Sequence, residues 1–163
     1  MYRLKSNSSE AAFSLIELLV ALSIASILAA TAFTNYQRFR LMAYDTTAST
    51  QVRDAFLAVQ DQSISNESSV NFIFTSQGGE KLPAPLDDFT VNKNVNLTVA
   101  LINLSLSFGN FQLSYLYHYA LGAHQSGCHQ YLRLQYELNI NGNRSEINLD
   151  DKIPLPGASD RCS

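Results

Sequence analysis

Ala12-Phe13-Ser14-Leu15-Ile16-Glu17-Leu18-Leu19-Val20 opens an apolar run that lasts to Phe33 and decides the architecture of this 163-residue chain. Between Phe13 and Phe33 one side chain, Glu17, is ionisable. As a helix rising ~1.5 Å per residue the run is about 30 Å long, enough to cross a hydrocarbon core. A carboxylate in such a segment costs about 2.5–3.5 kcal/mol on insertion scales, so it calls for a purpose. Upstream lies a polar segment carrying Arg3 and Lys5. The pattern is a targeting leader at 1–12, then an anchor, with a carboxylate near the anchor's start.

The leader differs from an ordinary secretory signal, whose small-residue cleavage site follows a short apolar region that is then lost. Here the small pair Ala11-Ala12 precedes the apolar run. Cleavage after Ala12 keeps the anchor and places a new amino terminus on Phe13. The competing reading is an uncleaved single-pass anchor with positive flanks.

Beyond Phe33 the helical pattern continues and becomes amphipathic. Val52, Ala55, Phe56 and Val59 fall at i, i+3, i+4 and i+7, one face of a helix. Arg40, Asp45, Gln51, Arg53, Asp54 and Asp61 are interspersed, and no Gly or Pro interrupts Phe13 to Ser65. One helix over 13–62 is expected, spanning a membrane at 13–33 and amphipathic at 34–62, followed by a head at 63–163. In the head, Val70 to Thr75 is a candidate short strand. Gln77-Gly78-Gly79-Glu80 reads as a turn, and Leu82-Pro83-Ala84-Pro85 is extended. Asn94 to Phe108 alternates, with a phase shift near Leu101. Gly109-Asn110 marks a hairpin into Phe111 to Tyr119. Tyr131 to Ile140 alternates again, and Asn141-Gly142 turns the chain into Glu146 to Leu149. The fold class is α+β, a long helix packed on an antiparallel sheet of about four strands. The tail with Pro154, Pro156 and Gly157 reads as loop.

The formal net charge is −3. The leader's Arg3, Lys5 and Glu10 contribute +1, leaving −4 on the side chains of the remainder. That balance argues against nucleic acid as a partner and for a mildly acidic soluble head.

Phe13-Ser14-Leu15-Ile16-Glu17-Leu18-Leu19-Val20 resembles the processing and assembly motif of type IV pilins and type II secretion pseudopilins. Tyr36 to Arg40, Ala43-Tyr44-Asp45 and Val52-Arg53-Asp54 extend the resemblance to about residue 60, most like a type IVa pilin. The resemblance implies that a prepilin peptidase cuts between Ala12 and Phe13 and methylates the new amine, and that Glu17 acts in assembly. It implies insertion in the bacterial inner membrane with the head in the periplasm. Polymerisation with other pilin subunits on an inner-membrane assembly platform follows, giving an extracellular fimbrium that serves in cell adhesion. The alternatives are a pseudopilin of a type II secretion system, or a minor pilin acting in DNA uptake or adhesion. Three departures stand out. Ala12 occupies a position usually held by Gly. Ser26 and Thr34 stand where many pilins carry Gly and Pro, which cost a helix ~1 and ~3 kcal/mol, so they remove local reasons for the mid-helix to unwind.

An exported head sits where disulfides persist, so Cys128 and Cys162 are expected to bridge, an arrangement that resembles the carboxyl-terminal loop of many type IVa-like pilins. Closing a loop of about 35 residues is worth at most roughly 4 kcal/mol. Cleavage leaves a positive amine on Phe13, and in a stack of apolar helices a neighbour's Phe13 amine can neutralise Glu17, fixing register more than adding stability.

His118, His124 and His129 lie near Cys128, but their spacing matches no usual zinc pattern, and they read as polar residues at strand ends. Asp150-Asp151 and Asp160 lack the ordered spacing of a calcium loop. No nucleophile–base set and no glycine-rich phosphate loop appears, so neither enzyme activity nor a metal or cofactor is expected. Tyr131, Arg133 and Gln135 alternate with Leu132, Leu134 and Tyr136, which reads as a partly solvated sheet face.

Overall fold

The computed structural model describes residues 14–65, 71–156 and 162. The chain divides between Phe39 and Arg40 into two compact units. Helix α1 (Leu15–Ser65) runs from one unit into the other without a break.

The helix starts where its sequence supplies a cap. The Ser14 N–H donates to Glu17 Oε2 at 2.9 Å. That is the return half of an S-x-x-E capping box, in which the N3 carboxylate satisfies the N-cap amide. Leu18 N–H then donates to Ser14 C=O, opening the helical ladder. Further along, Ser23, Ser26 and Thr34 each donate a hydroxyl to the carbonyl four residues earlier, at 2.7, 2.7 and 3.2 Å. These bonds hide the hydroxyls from an apolar medium without interrupting the helix.

The head is a five-stranded antiparallel sheet in sequential order: β1 (Phe72–Gln77), β2 (Val95–Phe108), β3 (Phe111–His124), β4 (His129–Ile140) and β5 (Asn143–Pro154). The expected α+β class stands, with five strands in place of about four. The added strand is β1, which the sequence offered only as a candidate; it pairs Phe72 with Leu101 through Gln77 with Asn96. Two-residue turns join β2 to β3 and β4 to β5, and Asn141 and Gly142 both take positive φ.

Two expectations need correction. Asp150, Asp151 and Pro154 belong to β5 rather than to a terminal loop, because β4 supplies a ladder partner for each residue from Asn143 to Pro154. The expected phase shift near Leu101 stands: the β2–β3 register runs unbroken from Val95↔His124 to Phe108↔Phe111, and what changes there is which face carries the apolar residues. His118 lies in mid-strand rather than at a strand end.

The core lies between the carboxyl-terminal part of α1 and the proximal half of one sheet face. Val52, Ala55, Phe56 and Val59 meet Phe72, Val95, Leu97, Val99, Leu101 and Ala120. Gly122 sets how closely helix and strand approach. A Cβ there would lie 2.6 Å from Val52 Cγ2, a contact no real side chain tolerates. The face of β4 that reads as partly solvated is so, with Tyr131, Arg133 and Gln135 each half-buried, and it is the one turned toward α1. Arg133 lies over the Phe56 ring at 5.5 Å, and Gln135 hydrogen-bonds to Gln60. Long polar side chains cover the rim of the core there with their stems.

Candidate assembly site and the clasp in the head

Of the residues expected to act, Ala12 and Phe13 lie outside the described residues, and Glu17 stands in the first turn of α1. Its carboxylate is engaged with Ser14 N–H of its own chain. Around it Leu15, Ile16, Leu18, Leu19 and Val20 are all exposed. No side chain from residue 14 to residue 40 is buried. The segment is apolar on every face, which in water is the signature of a helix meant for lipid or for other helices. α1 is long and apolar enough to cross a membrane, which is consistent with membrane anchoring.

The second constellation centres on Asp45, a residue that reads from sequence only as polar. It is buried, and its Oδ1 accepts the backbone N–H groups of Cys128 at 2.8 Å and His129 at 3.2 Å. Its Oδ2 lies 2.6 Å from His129 Nδ1. Gly127 leaves room for the carboxylate, since a Cβ there would come within 2.7 Å of Oδ1. One residue earlier Tyr44 stacks on His124, centroids 4.3 Å apart and planes 10° from parallel. Burial holds His124 below the ordinary imidazole range, and the Asp45 charge opposes that in part. Cys128 is joined to Cys162, with Cα atoms 5.8 Å apart. Leu155 N–H donates to Cys128 C=O at 2.9 Å, so β5's exit is fastened at the same point. The result is a clasp of helix, β3–β4 turn and tail.

His118 forms a third, smaller feature. Ser63 Oγ gives its proton to the Gln60 carbonyl at 2.7 Å, so His118 Nε2, 2.9 Å from that oxygen, is the donor. Nδ1 is then the acceptor, buried and without a hydrogen-bond partner. Desolvation lowers the His118 pKa, and Glu137 opposes the shift.

Among the described residues no group of three or more His, Cys, Asp or Glu is disposed to hold a metal ion. The three histidines are spread between the clasp and the core rather than gathered.

Residues 7–33 match the family described as the prokaryotic N-terminal methylation motif. No curated protein and no solved structure matches the chain significantly. The matched stretch takes in Ala12 and Phe13, between which cleavage is expected, Glu17 and the apolar half of α1.

Proposed function

We propose that this chain, a type IV pilin or pseudopilin by its methylation motif, is the structural subunit of a type IV pilus. It is inserted in the inner membrane with its head in the periplasm. A prepilin peptidase cuts it between Ala12 and Phe13 and methylates the Phe13 amine. The mature chain leaves the bilayer for a filament whose centre is built from residues 13–33. The working layout is a leader at 1–12, the helix at 13–62 and the head at 63–163.

One observation carries this reading. From residue 14 to residue 40 every side chain is exposed, and through Phe33 the only charged one is Glu17. Such a surface is stable in lipid or against copies of itself. On passing between them, the carboxylate is the group whose partner changes. In the single chain it caps its own helix through Ser14. In the filament the amine of a neighbouring Phe13 replaces that neutral donor with a charge, which is worth more where water is excluded. Partners in this scheme are the bilayer, the peptidase, the assembly platform and other pilin subunits.

Ser26, Thr34 and the unbroken helix favour a second reading, a type II secretion pseudopilin. The two readings part on where the chain is found. Mass analysis of sheared surface filaments from the native host should yield this chain beginning at N-methylated Phe13. A chain that keeps Met1 to Ala12 in that host overturns both readings, and a processed chain absent from surface filaments overturns the pilus reading alone.

A further inference from the structure

The sheet has a second face, away from α1, on which the assembly scheme makes no demand. Strand register defines it. Ile102↔Tyr117↔Tyr136↔Ile147 and Leu104↔Tyr115↔Leu138 lie across neighbouring strands on that side. Charge is segregated between the two faces. Arg133, Glu137, Arg144, Glu146, Asp150 and Lys152 all alternate onto the α1 side of β4 and β5, where Arg133 pairs with Asp150 and Arg144 with Glu137. The outer face of all five strands carries a single acidic or basic residue, Asp151, on the edge strand. Leu104, Ile147 and Leu149 stand there 47, 50 and 45% exposed.

We propose that this outer face is an interface between two copies of the chain, packed sheet on sheet. Strands spaced about 4.8 Å apart and rising about 3.3 Å per residue make β2–β5 roughly 20 by 40 Å, about 800 Å². A stable interface needs about 800 Å² from each partner, and the outer face offers that footprint with aliphatic and tyrosine side chains predominating. A face without interior charge is complementary to itself, since two copies related by a two-fold axis bring no like charges together at its centre. The tyrosines favour a protein surface over a sugar. Tyr115, Tyr117 and Tyr119 stack on one another at 6.2 and 6.0 Å with planes within 15°, so they cover one another's faces and present edges and hydroxyls. Two such sheets pack about 10 Å apart with strands about 30° from parallel.

The test uses the full chain in membranes of its host, with two differently tagged copies expressed together. A photo-crosslinking amino acid is placed at Leu104 or Ile147 on the outer face, and at Ser105 or Ser114 on the reverse face. It is run in a Glu17→Leu background, so that the result does not depend on filament assembly. The expected product is an adduct carrying both tags, at least tenfold more abundant from Leu104 and Ile147 than from Ser105 and Ser114. Adding Leu149→Glu, 45% exposed and outside the core, should reduce it at least tenfold while the Cys128–Cys162 bridge remains intact. Adducts only to another protein, equal yields from the two faces, or no adduct each overturn the proposal.

Discussion

The two halves of helix α1 share one backbone and no interior break, yet they live in opposite surroundings. From residue 14 to residue 40 nothing is buried. From Asp45 onward a stripe at Asp45, Ala48, Gln51, Val52, Ala55, Phe56 and Val59 is buried against the head. Helix propensity does not separate the halves, since both lack Gly and Pro. The width of the apolar face does. A stripe of about 100° is satisfied by one sheet, whereas an apolar cylinder needs partners on every side. The head therefore completes the second half within a single chain, and the first half is completed only by lipid or by other chains.

That contrast can be broken in several places. The largest effect is expected at Glu17→Gln. Glutamine can still cap the helix, so insertion and helix content should hold. The charge proposed to answer a neighbour's Phe13 amine is gone, and leaving a buried charge unpaired costs about 3–5 kcal/mol. Filament incorporation, counted by quantitative blotting of sheared filaments, should fall at least a hundredfold, and unchanged filament yield would remove the pairing from the account.

A matched pair of truncations sharpens the comparison inside the helix. Phe56→Ala, at a 6% exposed site, should lower the head's stability by about 3–5 kcal/mol in urea titration of the detergent-solubilised chain. Phe33→Ala, at a 63% exposed site, should change it by less than about 0.5 kcal/mol. Equal losses would mean the two halves are not energetically separate.

Replacing Cys128 and Cys162 together by Ser should cost the head up to about 4 kcal/mol. The tail from Leu155 should become protease-sensitive while α1 and the sheet persist. A tail equally resistant in the double variant would show that the bridge is not what orders it.

The smallest effect is a pH dependence. Burial lowers the His118 pKa in the folded state, so as pH falls below about 6.5 the unfolded chain takes up a proton that the folded chain resists. The His118 contribution is complete above that value and is lost as pH falls through the folded pKa. His118→Gln should flatten the acid limb of the stability profile, and a slope identical to that of the parent chain would assign the acid loss elsewhere.

What was legible in the sequence was what is local. The apolar run with its one carboxylate can be read residue by residue, as can Gly109-Asn110 and Asn141-Gly142 as turns. The capping role of Glu17 is also local, written in the spacing Ser14-Leu15-Ile16-Glu17. β5 reads short because Asp150, Asp151 and Pro154 have poor strand propensity, which the ladder to β4 overrides. The polar face of β4 reads as partly solvated, as it is, but alternation gives two faces and not which of them meets the helix. Asp45 belongs to the stretch that carries the family resemblance, but nothing there announces its role as a clasp. Its partners, the amides of Cys128 and His129 and the His129 ring, lie 83 and 84 residues away, and an amide carries no sequence identity.

That clasp also sets a mechanical order. Were the chain part of the proposed filament, load carried along α1 would reach the head at Asp45, the first buried side chain on the helix. The residue that receives it grips the β3–β4 turn beside Cys128, whose sulfur is tied covalently to Cys162. Load entering at Asp45 is thus divided between the start of β4 and, through the disulfide, Cys162, so no single hydrogen bond carries it alone.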